Sequence, residues 1–226
     1  MQDKRWLVGT IAIILSLGHT ACTAPPFYSY LIYENPTSFV RLEVAPWADS
    51  NIPHTWNSHP ATLSRYQVSQ ALRGLQVREH RPGPLKWIRG EAQPEPVFRE
   101  EEIEFLAPKL QEGLDLAVPQ EVVTFYLSHP LNATRREVTS GGVFVIGGNL
   151  HVILSNHRTM YAIPPAGLIH DRRYPLLALA PSDVDLGFES SDMVVPKEEA
   201  LFDSLLGDER AGEIVLDLSR LAMMKM

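Results

Sequence analysis

An apolar run of eleven residues near the N-terminus, residues 7–17, sets how much of this chain has to fold in water. Lys4 and Arg5 precede it, and Gly18-His19-Thr20-Ala21-Cys22 follow it. A spanning helix needs about 20 apolar residues to cross a hydrocarbon core of about 30 Å, so this run is short for a span and right for a signal-peptide core. Positive charge ahead of such a run tends to stay on the cytoplasmic side. Cys22 is the only cysteine. It has no partner for an intrachain disulfide, and a free thiol is a liability in an oxidising compartment. The segment is read as a targeting signal; a plain signal peptide cut after Ala21 or Ala24, and an uncleaved anchor, are two forms it can take.

Basic residues, a short apolar core and small residues before a cysteine together resemble the signal of bacterial lipoproteins. The resemblance implies cleavage between Ala21 and Cys22, a diacylglyceryl thioether on Cys22 and acylation, palmitate included, of its new amine. Thr20 and Ala21 suit the two positions before the cysteine, whereas His19 stands where that class carries an aliphatic residue. Thr23 follows the cysteine in place of the aspartate that marks inner-membrane retention, which implies an outer-membrane location facing the periplasm. The resemblance covers about a tenth of the chain.

With residues 1–21 set aside as signal, residues 22–37 read as a lipidated tether with a first strand region. Residues 38–226 read as one globular domain, with 38–130 and 131–226 as possible subdomains. Loss of Asp3, Lys4 and Arg5 leaves 18 basic and 26 acidic residues, a net charge of −8. An acidic domain without a Lys/Arg block is poorly suited to nucleic acid or to an anionic lipid surface. Eighteen prolines break the chain into short elements.

Residues 38–45 (SFVRLEVA) alternate, with Val40, Leu42 and Val44 on the face expected to point inward. Residues 63–74 read as a helix, with Ser64 and Gln67 as a capping box, Leu63 and Val68 as a hydrophobic staple, and Gly74 as the stop. Residues 75–80 and 85–89 read as a hairpin around Arg81-Pro82-Gly83-Pro84. A second helix is expected over 99–117: three glutamates favour its first turn, Ile103, Leu106, Leu110, Leu114 and Ala117 form its apolar face, and Pro108 predicts a kink or a break. Residues 121–128 (EVVTFYLS) are the strongest strand. Gly141-Gly142 and Gly147-Gly148 read as two hairpin turns in a meander, with Leu150, Val152 and Leu154 facing the core and His151 and Ile153 turned away. Residues 160–163 read as an edge strand, 197–206 as a short helix and 212–221 as a last strand. The fold class is α+β: an antiparallel sheet with two main helices and a C-terminal β-meander. Its β-α-β-β-α-β order over 38–128 is that of a ferredoxin-like core; one larger antiparallel sheet with both helices on a face is the alternative.

Candidate chemistry is sparse. The glycine pairs fail as phosphate loops because neither opens a helix after a strand and no Gly-Lys-Ser/Thr follows. No Gly-x-Ser-x-Gly elbow occurs, Ser140 and Ser155 lie near histidines in sequence only, and no histidine pair has the spacing of a helical metal site. Asp183, Asp185, Glu189 and Asp192 alternate acidic residues without the order or the glycine of a calcium-binding loop. The densest polar patch is His170-Asp171-Arg172-Arg173-Tyr174. There His170, Arg172 and Arg173 are candidates to bind an anion or a partner carboxylate, ahead of a greasy stretch, 175–179, expected to run into the core. No cofactor or metal is expected. The function read from the sequence is a lipid-anchored envelope protein with a non-enzymatic binding or scaffold domain. Its partners are the membrane through Cys22 and other envelope proteins, and not nucleic acid. An envelope hydrolase with a loop-assembled site and a small-ligand or lipid carrier are the alternatives.

Overall fold

The computed structural model describes residues 28–48, 52–80, 87, 90, 92–164, 167–179, 184–196 and 212–223. Ala21, Cys22, the rest of the signal and tether up to residue 27, the 81–84 turn, Asp183 and the 197–206 helix lie outside them. The chain is α+β. Six antiparallel strands form the main sheet: β1 (Tyr30–Glu34), β2 (Ser38–Val44), β5 (Glu121–Pro130), β6 (Arg135–Ile146), β7 (Asn149–Ala162) and β9 (Glu213–Asp217), in the order β1-β2-β5-β6-β7-β9. A smaller sheet has β3 (Leu75–Glu79) between β4 (Glu95–Pro96) and β8 (Val184–Phe188). The α-helices described along their length are α1 (Arg65–Gly74), α2 (Glu100–Leu116) and the single turn α3 (Leu218–Leu221).

The ferredoxin-like arrangement is not the one formed. β2 and β5 are antiparallel neighbours, as that unit would require, but β3 leaves the main sheet and pairs with β4 and β8. The long β5–β6–β7 meander takes the positions beside β5, which matches the alternative of one larger antiparallel sheet with helices on a face. β5 and β6 are adjacent, so main-sheet pairing runs straight across residues 130 and 131.

α1 begins as its sequence requires. The Gln67 N–H donates to Ser64 Oγ (3.2 Å), and the Ser64 N–H donates to Gln67 Oε1 (2.8 Å). Gly74 is its last residue but not a left-handed cap, since the chain passes directly into extended Leu75; a β-carbon at 74 would sit 2.1 Å from the Phe188 ring, which would have to shift. α2 runs unbroken through Pro108. Ile103, Leu106, Leu110 and Leu114 are buried against Val123, Phe125 and Leu127 of β5, each leucine contributing roughly 2–3 kcal/mol through burial. Leu150, Val152 and Leu154 join this core, and His151 and Ile153 point to the opposite face. Gly147 and Gly148, at φ +56° and +83°, make the tight β6–β7 turn.

The main departure from the sequence reading concerns the second face of the sheet. Phe39 and Arg41 are buried although they point away from the helices, while Val44 is exposed. Trp47 covers Phe144 there with ring centroids 4.6 Å apart, and Phe39 stacks on Tyr126. The sheet is covered on both faces, by helices on one and by irregular chain on the other. Gly141-Gly142 is not a turn; both residues lie inside β6.

Candidate functional site

The irregular cover is a strap, residues 167–179, lying across the helix-free face. It has no strand pairing, so its backbone carbonyls need other donors. Three sheet side chains supply them to alternate residues. Arg41 Nη2 donates to the Arg173 carbonyl (2.9 Å), Ser140 Oγ to the Pro175 carbonyl (2.7 Å) and Asn156 Nδ2 to the Leu177 carbonyl (3.1 Å). Asn156 also donates to Ser140 Oγ (2.8 Å) and accepts from the Tyr161 hydroxyl (2.6 Å), which fixes its amide orientation.

The sequence builds this network through irregularity in the β6–β7 pairing. The register shifts between Val138 and Ser140 and again between Ser140 and Gly141, and Arg158 takes φ +47°. Such bulges re-aim side chains, and here they lie beside Asn156, opposite Ser140. Arg41 is oriented by Glu43 (2.6 Å) and lies over the Phe39 ring. Burial raises the Glu43 carboxyl above the ordinary range, against the opposing pull of Arg41.

His170 is the strap's buried anchor, 2% exposed, with ring centroids 5.8 Å from Tyr126 and 5.0 Å from Tyr161. Its Nε2 faces the Leu177 carbonyl at 3.2 Å. A carbonyl has no proton to give, so Nε2 carries the hydrogen, and Nδ1 is left without a hydrogen-bond partner among the described residues. Burial lowers its pKa from the ordinary value, with the Leu177 contact opposing.

The structure thus separates the residues of the polar patch. His170 is turned inward. Arg172 donates to the carbonyls of Pro36 and Asn35 and to the Glu34 carboxylate, gripping the β1–β2 turn. Arg173 forms a forked contact with Asp171 and holds that carboxyl below its ordinary range. The two guanidinium groups are directed at the chain's own acceptors, not converged on one external anion.

What the strap presents outward is apolar. Leu168, Ile169, Tyr174, Leu177 and Leu179 are 38–50% exposed. The sequence reading sent 175–179 into the core; only Pro175 is buried and Leu176 half-buried, against Gly142 and Val122. The sequence carries no signal for Asn156 and Tyr161 and raises Ser140 only as a weak nucleophile candidate, because each lies in a strand whose alternation says nothing about a loop arriving from elsewhere.

Other groups have local roles. His129 contacts Glu102 (2.9 Å), His151 contacts Glu213 (2.9 Å) and His80 contacts Asp185 (3.2 Å). A cavity of about 280 Å³ opens on the small sheet, lined by Gln76, Arg78, Pro94, Asp185 and Phe188 among others. Among the described residues no three His, Cys, Asp or Glu side chains come together as metal ligands, and no helix is long and apolar enough to cross a membrane. No protein-family model, no curated protein and no solved structure matches the chain.

Proposed function

We propose that this is a lipid-anchored bacterial cell-envelope protein, held through Cys22 at the outer membrane, whose α+β domain binds another envelope protein. The observation that carries the binding reading is the strap: five exposed apolar side chains on a segment whose path is pinned by Arg41, Ser140, Asn156 and His170. Exposed apolar side chains gathered on a held loop are an ordinary signature of an interaction site. The hydrolase reading has less support, since the Ser140 hydroxyl is committed to the Pro175 carbonyl and both it and His170 are buried. The carrier reading needs space between sheet and helices, where Leu106, Leu110 and Leu114 meet Phe125.

The anchor is tested by labelled-palmitate incorporation in cells. The wild-type chain is expected to label and Cys22→Ser to remain unlabelled; equal labelling of the two overturns the anchor. Binding is tested by a photo-crosslinking residue at Tyr174, with and without Leu177→Ser and Leu179→Ser. The expected result is a crosslink to a distinct envelope protein, weakened roughly tenfold or more in the double variant. Exposed positions change stability by only about 0.5 kcal/mol, so the unfolding midpoint should hold. A crosslink that is absent, or unaffected by the double variant, overturns the strap as the binding surface.

A further inference from the structure

A second exposed apolar group lies at the corner of the main sheet from which the chain leads back toward Cys22. Tyr30 of β1 pairs with Leu42 of β2, and Val44 lies two residues farther along the same face. Val44 is opposite Glu121. The Glu121 N–H donates to the Val118 carbonyl (2.9 Å), and its carboxylate accepts from the Val118 N–H (2.9 Å) and from the Ser29 hydroxyl. Gly113 of α2 packs against Ile32 and Val123, so Leu116, one turn on, belongs to the same corner. Tyr30, Val44, Leu116 and Val118 are 48–67% exposed, yet the buried Glu121 carboxylate holds the backbone at Val118 and the Ser29 hydroxyl next to Tyr30. This corner is therefore a built surface and not a frayed end.

We propose that this corner rests in the interfacial layer of the bilayer that carries the Cys22 lipid. The inference depends on the lipid-anchor reading above. Cys22 stands six residues before Tyr28, and six residues span at most about 22 Å even when fully extended. Acyl chains in the bilayer therefore keep the corner within reach of the headgroups. Tyrosine suits that layer, where one end of its ring is wet and the other apolar. Exposed Glu112 and Asp115 border the corner, so charge does not recruit it to an anionic membrane. The lipid supplies affinity, and the corner supplies orientation. The β1–β2 turn gripped by Arg172 then lies at the far end of a five-residue strand, about 17 Å away, and the strap it holds is presented away from the membrane.

The test uses the acylated, membrane-purified protein in phosphatidylcholine vesicles with brominated acyl chains. Cys22 is the only native cysteine and its sulfur is blocked by the thioether, so Val118→Cys, Val44→Cys or Met160→Cys offers a single thiol for a bimane label. Met160 is an exposed control at the other end of the sheet, paired with Glu137 of β6. Quenching is expected to be at least about twofold stronger at 44 and 118 than at 160. Equal quenching at the three positions, with mass spectrometry showing acylated Cys22, overturns the corner contact and leaves the anchor standing. Absence of acyl groups on Cys22 overturns the anchor, and the inference with it. A label at 118 already shielded from iodide before vesicles are added means that residues 1–27 or a second copy cover the corner, which also overturns it.

Discussion

Gly141→Ala is expected to lower the stability of the domain by about 3 kcal/mol or more, a fall of roughly 6–12 °C in Tm for a chain of this size. A β-carbon at residue 141 would lie 1.9 Å from the Ile153 carbonyl oxygen and 3.0 Å from the Phe125 ring. The first contact is with backbone, so no rotamer change relieves it. Ile153 pairs with Gly142 on one side and Glu213 on the other, and moving it shears β7 from both neighbours. The glycine is needed for space, since its φ does not fall among the positive values. Gly148 provides the contrast: at φ +83° a β-carbon there meets nothing within 4 Å. Gly148→Ala should therefore cost only the conformational penalty, about 1–2 kcal/mol. Chemical denaturation of both variants checks the account, and a Gly148 variant less stable than the Gly141 variant would reject it. The Gly141 variant should also be cut more readily within the strap, because the displaced β7 carries Asn156.

The same glycine shows what the sequence does and does not disclose. Gly141-Gly142 and Gly147-Gly148 look alike as strings, two small residues between β-branched runs. One pair turns the chain; the other lets two backbones approach within a continuous strand. The difference depends on β7, whose register shifts are tertiary facts. Local signals were legible where the physics is local. The Ser64–Gln67 box, the apolar face of α2 and the alternation of β7 all act within a few residues, and each forms as expected. β3 was read as half of a hairpin because its neighbours in sequence suggested it, yet its main partner is β8, more than a hundred residues later.

The candidate site was legible in part. Its polar residues stood out as a patch, but His170 is buried and Arg172 grips the β1–β2 turn, while Arg173 pairs with Asp171 inside the strap, and the apolar residues beside them face outward. Hydropathy placed 175–179 in the core because it cannot distinguish a loop that buries its leucines from one that lies over an already covered sheet. Arg41 carried the same ambiguity. On a two-state strand pattern it marks the solvent face, whereas here that face is closed by a segment 132 residues away and the arginine becomes the donor that holds it.

The second large effect is on acid stability, through His59. This side chain is 6% exposed. Its Nε2 accepts the Val145 N–H at 3.0 Å, and its Nδ1 has no hydrogen-bond partner among the described residues. Burial pushes its pKa down to about 4, against 6.5 for the free group. Above pH 6.5 the folded and unfolded chains both hold it neutral, and it contributes no pH dependence. Between about 6.5 and 4 the unfolded chain takes up a proton that the native one refuses, so stability falls as the pH falls. Below about 4 both states are charged and the loss is complete, about 3 kcal/mol in all and about 2 kcal/mol by pH 5. His157 and His170 are lowered in the same direction, again mainly by burial, and add to the slope. His59→Gln keeps an acceptor for the Val145 N–H and removes the titration. Denaturant unfolding at pH 7.5 and pH 5 should therefore show the wild type losing about 2 kcal/mol more than this variant across that interval. Equal losses would mean that His59 is protonated in the native state, and that the loop it fastens to β6, which also bonds the Val145 carbonyl through the Ser58 N–H (2.6 Å), opens readily enough to let water reach the ring.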